Sequence, residues 1–487
     1  MIDARPADSD RLASLPDEIQ PGRHGFPPGP SYWTPYGMVS AMRGDPLEYF
    51  TRAFRTYGDV VGFRSGPFGS ILIAHPDHVK HVLQDNNRNY VKGVVIAKIK
   101  VLVGEGLFTS EGDFWRRQRR LAQPAFHRER VGGFVSTMTD ATTSLLERWA
   151  LRARGGEPFD VAADMSRLTL GIVGRTLFSR DIDDAADEFG PVLVETLALM
   201  NDRTMRFLPS PLWWPSAFNR QLARLLGQLD RVVYDIIETR RRTGDAPGDL
   251  LDMLLRARDE DSGEGMTDRQ LRDEVMTFLL AGHETTAVAL TWTWYLLDRH
   301  PEVADRLRAE VGAALAGRTP GLEDLPRLEY ARMVVEEAMR LYPPVWGFMR
   351  QALGADRIGG YHVRKGTVIS ISPWVTHRHP MFWEDPERFD PERFRPARVR
   401  ERPRFAYLPF SGGPRLCIGN EFALMEGTLV LAMAVQQYRL QLVPGATIEP
   451  ESRLTLRPRG GLPMTVHAIQ PPRRNAVTSA PLNETKH

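Results

Sequence analysis

Cys417 is the only cysteine among 487 residues, and it lies in the run Phe410-Ser411-Gly412-Gly413-Pro414-Arg415-Leu416-Cys417-Ile418-Gly419. A single thiol excludes an internal disulfide and any metal site built from several cysteines. Three uses remain open: an inert buried thiol, a nucleophile, or a single thiolate ligand. Glycine and proline make the run a tight loop. Apolar periodicity through Phe422, Leu429 and Met433 places a helix directly after it. Free amides and the positive end of the helix dipole favour a thiolate at such a position. A cysteine nucleophile would need a base, and no histidine accompanies Cys417 locally. Gly413 and Gly419 leave the backbone free to approach a bulky flat partner.

The second chemical feature is an acid next to an alcohol, Glu284-Thr285, inside Gly282-His283-Glu284-Thr285-Thr286. The segment around it must be a helix. Thr267 and Gln270 stand at capping-box spacing, and no proline follows until Pro301. The helix spans about 32 residues, ~48 Å at 1.5 Å per residue. From Met276 to Leu297 it is almost apolar on every side. That length could cross a membrane, but Glu284 and His283 would then sit near the bilayer centre, so a buried core helix is expected. A carboxylate in such a place is costly unless paired or functional. His283-Glu284 is not a zinc-protease motif, because Ala287 follows where a second histidine is required.

The third feature is Glu337 with Arg340. Tyr330, Val334, Ala338 and Leu341 form one apolar stripe, Glu337 falls inside it, and Arg340 lies at its edge. An exposed pair at this spacing contributes only ~0.2–0.5 kcal/mol. A buried carboxylate must be compensated, and Arg393, in Phe389-Asp390-Pro391-Glu392-Arg393-Phe394, offers a second cation.

These sites need a scaffold, and helical periodicity dominates the chain. Short strand-like runs occur at 58–63, 70–74, 367–371 and 463–467. The expected fold class is mainly α with small β-sheets. Residues 1–25 are polar and rich in proline and glycine, an expected loose arm, and 471–487 an expected loose tail. The 26–470 stretch between them shows no linker and no repeat. Lys+Arg 63 against Asp+Glu 61 indicates no global attraction to nucleic acid or membranes. The first ten residues hold no signal-peptide core, so the expected compartment is the cytoplasm. His75, His78 and His81 are read as a short surface helix rather than a metal site.

Taken together, these motifs resemble the cytochrome P-450 family of haem-thiolate monooxygenases, in its soluble bacterial form. The haem-loop pattern F-x-x-G-x-R-x-C-x-G is matched at Phe410, Gly413, Arg415, Cys417 and Gly419. The long-helix pattern A-G-x-[DE]-T-[TS] is matched by Ala281, Gly282, Glu284, Thr285 and Thr286. E-x-x-R is matched by Glu337 and Arg340, and W-x-x-x-R by Trp115 and Arg119. The resemblance implies a single triangular, mainly helical domain, with haem b buried between the long central helix and the helix after the cysteine loop. It implies Cys417 as the proximal iron ligand. Trp115, Arg119, Arg350 and Arg415 become candidates for the haem propionates, with His377 behind them. Phe410 packs beside the thiolate. Ala281 and Gly282 leave room for O2, Thr285 would hydrogen-bond the bound oxygen, Glu284 would relay protons towards it, and Glu337, Arg340 and Arg393 form a structural triad.

The implied reaction inserts one atom of O2 into a C–H or C=C bond of a hydrophobic substrate such as a fatty acid, terpenoid, steroid or polyketide. A peroxide-driven peroxygenase or a haem-based sensor is the alternative. The expected pocket includes Val95, Ile99, Ala281, Val345, Trp346, Phe348 and Leu454, with further bulk from Leu197 to Phe207 and from Trp213 and Trp214. No flavin-binding or iron–sulfur segment is found, so a ferredoxin or flavodoxin with its reductase is the expected electron donor. Arg116, Arg117, Arg119, Arg120, Arg128 and Arg130 against Asp113 and Glu129, a net of +4, would steer it to one face. No nucleic acid and no membrane anchor are expected, and the chain is expected to be a monomer.

Overall fold

The computed structural model describes residues 25–32, 44–65, 68–179, 183–205, 211–244, 248–258 and 263–469. The expected arm, apart from Gly25, and the expected tail lie outside these residues.

The helices that matter here are α1 (Pro46–Tyr57), α2 (Gly93–Val103), α3 (Gly112–Ala122), α4 (Val135–Gly155), α5 (Val161–Phe178), α6 (Asp183–Met205), α7 (Ala217–Thr243), α8 (Asp268–Arg299), α9 (Pro301–Leu315), α10 (Glu329–Leu341) and α11 (Asn420–Gln437). The strands are β1 (Ser31–Tyr32), β2 (Val60–Ser65), β3 (Phe68–Ile73), β4 (Tyr90–Val91), β5 (Phe159–Asp160), β6 (Phe348–Ala352), β7 (Asp356–Ile358), β8 (Tyr361–Val363), β9 (Val368–Ile371), β10 (Tyr438–Leu442), β11 (Pro450–Ser452), β12 (Leu456–Pro458) and β13 (Pro463–Ala468). All four expected strand runs are strands, and the mainly helical class holds.

α8 starts and stops where its sequence requires. The Thr267 hydroxyl accepts from the Gln270 amide at 3.3 Å, and the Gln270 side chain accepts from the Thr267 amide at 2.8 Å. Both otherwise orphaned donors are thereby satisfied. Pro301, which has no N–H to continue the ladder, opens α9 instead. α8 is buried on every face through most of its length. It packs on α5, α7, α10 and α11. No helix among the described residues is long and apolar enough to cross a membrane, so the apolar run from Met276 to Leu297 is core.

The largest sheet has the order β1-β2-β3-β9-β6-β4. β2 and β3 pair antiparallel from Val60↔Ile73 to Ser65↔Phe68, and β3 runs parallel to β9. The Trp292 ring of α8 stacks on Tyr342 at 3.9 Å between centroids, and its indole donates to the Leu456 carbonyl at 2.7 Å. That bond ties the helix centre to the β11–β12 hairpin. The expected surface helix at the histidines is Pro76–Lys80, with His75 capping it by accepting from the Asp77 amide. No cluster of three metal-ligating side chains occurs among the described residues.

Candidate active site

A cavity of about 1460 Å³ opens between α8, the cysteine loop, the large sheet and the α2–α6 wall. The loop is folded by its own backbone. The Cys417 amide donates to Phe410 O at 3.0 Å, and the Leu416 amide to Gly413 O at 3.1 Å. Gly413 has φ +66°, and a Cβ there would lie 1.9 Å from the Leu83 carbonyl oxygen. It therefore fits the loop against the 81–85 segment and does not line the cavity, which corrects the expectation that it admits a flat partner. Gly419 and Phe410 do line it. Cys417 has accessible surface because it faces the cavity, while protein encloses its other sides. Burial pushes the thiol above its usual range, opposed by the Gly419 amide and the Arg119 charge. Arg119 is held in place by donating Nη1 to Leu416 O at 2.9 Å. It points inward, so it is not part of the basic outer face.

One wall of the cavity is cationic. Arg415 pairs with Glu111, donates to Ser110 O at 2.8 Å, and lies 4.0 Å from the Trp115 ring centroid. Arg350 is half-buried beside them, and desolvation followed by repulsion from Arg415 brings it down to about 10. Lys92 completes the group. Its ammonium donates to the Phe108 carbonyl, and burial, then Arg415 and Arg350, hold it well below the usual lysine range. Of these three basic side chains only Arg415 is paired with Glu111, while Lys92 and Arg350 bond to the Phe108 and Met349 carbonyls, an arrangement that favours an added anion. Sequence reading missed Lys92, because one lysine before a helix carries no signal of what it will face. His377 does not belong here. Its Nδ1 lies 3.2 Å from Arg340 O and its Nε2 accepts from the Leu408 amide at 2.9 Å, buried away from the cavity.

At the middle of α8, Thr285 and Ala281 line the cavity, and the Thr285 hydroxyl donates back to Ala281 O at 2.9 Å. A Cβ on Gly282 would lie 2.9 Å from Val173 Cγ2 of α5. Gly282 thus keeps α8 close to α5, and it also lines the cavity beside Ala281, as expected. The Glu284 carboxylate, buried as expected for a paired group, accepts from the Thr455 hydroxyl and from Arg457 Nε at 2.9 Å. Arg457 lies 173 residues away in sequence, and nothing local announced it. His283 faces α5, 2.7 Å from Ser166 Oγ, and burial lowers it to about 4, so it is neutral.

The profile of the cytochrome P-450 family matches residues 27–464. The chain belongs to the cytochrome P-450 family.

It is 40% identical over 413 residues to the cyclooctat-9-en-7-ol 5-monooxygenase of Streptomyces melanosporofaciens, covering 85% of this chain and 89% of the relative. It is 34% identical over 422 residues to the pentalenene oxygenase of Streptomyces avermitilis, covering 86% and 92%. The crystal structure of the cytochrome P450DA heme domain superposes with a TM-score of 0.82 at 29% identity, covering 91% of this chain and 98% of that one. As a cytochrome P-450, the protein is a haem-dependent monooxygenase. The cavity fits that cofactor: one thiol opens into it, and the basic side chains of Lys92, Arg350 and Arg415 line one wall, as a flat dianionic macrocycle requires.

The expected triad of the P-450 is assembled. Glu337 takes Arg340 Nε at 2.6 Å and Nη2 at 2.8 Å, and accepts from the Asp390 amide at 2.9 Å. Arg393 Nε stands 3.5 Å from the same carboxylate. Arg340 also donates to the carbonyls of His377, Pro386 and Arg388 at 2.9, 2.6 and 3.0 Å. All of this lies out of the cavity.

Ile99, Val345, Trp346, Phe348 and Leu454 line the P-450 cavity as expected. The Val95 side chain and Phe207 lie outside the described residues. Leu197 is buried but does not face the cavity. Trp213 and Trp214 are 77% and 55% exposed, packed edge-to-face on each other in the connection between α6 and α7. They are surface and not lining, because aromatic composition says nothing about which side of a connection faces solvent.

Proposed function

We propose that Cys417 is the thiolate ligand of haem b and that this P-450 hydroxylates an apolar, terpenoid-class molecule, taking electrons from a separate ferredoxin or flavodoxin. The observation that carries the reading is the sharing of one largely apolar cavity by the sole thiol and the Glu284–Thr285 pair. The names of two relatives, which oxidise a cyclooctatenol and pentalenene, support the terpenoid class. Bound haem supplies activation of O2 to an oxidant able to attack an unactivated C–H bond.

The protein's part is binding, proton handling and exclusion of water. Trp115, Arg119, Lys92, Arg350 and Arg415 would hold the cofactor's carboxylates. Ile99, Val345, Trp346, Phe348 and Leu454 enclose the substrate and displace water. Thr285 keeps a hydroxyl proton at the cavity face of α8. Glu284, anchored by Thr455 and Arg457, passes protons towards it.

Thr285→Ala is expected to bind cofactor normally but to release severalfold more hydrogen peroxide per NAD(P)H consumed. Peroxide release equal to the unaltered protein would remove Thr285 from the proton path. A screen of terpenoids for the ferric spin shift, followed by product identification, tests the substrate class.

Electron supply leaves its own signature. Arg116, Arg120, Arg128 and Arg130 are exposed on and after α3, which abuts the cysteine loop through Arg119. An acidic donor steered to this face should reduce the protein at least about tenfold more slowly at 0.5 M salt than at 0.01 M. A reduction rate independent of salt would move the docking site elsewhere.

A further inference from the structure

The cavity has a polar corner that neither cofactor binding nor proton delivery uses. α2 packs against both α6 and α8, and at the α2–α6 seam Lys98, Asn201 and Thr204 line the cavity. Lys98 Nζ donates to Thr204 O at 2.9 Å. That carbonyl is in the last turn of α6, where helical partners run out, so the ammonium caps the helix and closes the seam. Buried Arg203 adds a second positive charge next to Lys98. The corner therefore disfavours a cationic ligand and favours an oxygen lone pair.

Asn201 stands one turn before Thr204, on the same face of α6. Its carboxamide is half-buried and lines the cavity, and it has no hydrogen bond to any described residue. A cavity-facing amide without a protein partner is available to a ligand that completes its hydrogen bonds. A carboxamide both donates and accepts, and the small group that matches both is a hydroxyl.

We propose that Asn201, with the electropositive Lys98 seam behind it, binds a hydroxyl already present on the substrate. The enzyme then acts on an apolar skeleton that carries one alcohol, and not on the bare hydrocarbon. The reaction before it must be one that leaves a hydroxyl, either an earlier oxygenation or a cyclisation quenched by water. This inference rests on the terpenoid reading above and adds a specificity-determining residue to it.

The test uses the haem-loaded full chain and two probes with one skeleton: geranylgeraniol and the hydrocarbon in which its hydroxyl is replaced by hydrogen. Dissociation constants are read from the ferric low- to high-spin shift. The alcohol should bind about tenfold more tightly than the hydrocarbon, the value of one hydrogen bond. Asn201→Leu should reduce that ratio to about one and leave the hydrocarbon's affinity unchanged, while Asn201→Gln should restore part of it. Retention of the thiolate-type carbon-monoxide band shows that each variant is folded. If Asn201→Leu loses that band, the ratio is read from Asn201→Ser instead. Equal affinities in the unaltered protein, or a ratio that survives Asn201→Leu, would overturn the inference while leaving the terpenoid reading intact. No spin shift with either probe would overturn the terpenoid reading itself, and this inference with it.

Discussion

Cys417→Ser should eliminate the thiolate-type carbon-monoxide band of the reduced protein and lower monooxygenase turnover at least about a thousandfold, roughly 4 kcal/mol on the barrier. The chain has no other cysteine, so no second thiol can take over. Serine preserves the loop, because the backbone bonds from Cys417 to Phe410 and from Leu416 to Gly413 do not involve the side chain. What it removes is a soft, electron-rich donor. The enclosed site already pushes the Cys417 thiol up, with the Gly419 amide and Arg119 pulling the other way. A serine hydroxyl, far less acidic, has no route to an anion there. The cationic wall is untouched, so cofactor content should fall less than turnover. An unaltered thiolate-type spectrum in this variant would sink the ligand assignment.

Arg340→Leu should destabilise the protein by about 3–5 kcal/mol, because it leaves the fully buried Glu337 carboxylate without its main partner. Against a total stability of about 5–15 kcal/mol, that is enough to leave much of the chain unfolded or without cofactor. Burial already raises Glu337, and Arg340 is the largest influence in the other direction. Arg340→Lys should rescue little. One ammonium cannot reproduce two bonds to the carboxylate and three to backbone carbonyls. The pair acts as a unit, so Glu337→Gln combined with Arg340→Leu should cost less than the two single losses added. Urea midpoints and haem content measure all four variants, Glu337→Gln alone included. A loss below about 1 kcal/mol for Arg340→Leu would mean that the pair is solvated in solution.

What could be read before the structure was mostly local. The capping box at Thr267 and Gln270 and the stop at Pro301 bound α8, since each depends on residues within a turn. Glu337 could be placed inside an apolar stripe by helical period alone. The cysteine loop carried its own turn residues. What stayed out of reach has a different origin. Gly413 answers to Leu83 and Glu284 to Arg457, and each partner comes from another element. Lys92 gains its meaning from Arg350 and Arg415, brought together only by the fold. His377 was drawn inward to Leu408 and Arg340, where one sequence offers no way to tell a buried histidine from a lining one.

The bond from Arg119 to the Leu416 carbonyl joins residues 297 apart, and Arg457 reaches back 173 residues to Glu284. The cavity therefore has no complete wall while the chain is still being made. At about 5–20 residues per second, translation needs roughly 15–60 s between the two ends of the first bond alone. In the later part of that time α3 and α8 exist with their inward polar groups unmatched and nothing to hold a cofactor between them. Haem loading must follow synthesis of the last strands, which makes cofactor supply a late checkpoint on how much of the protein matures.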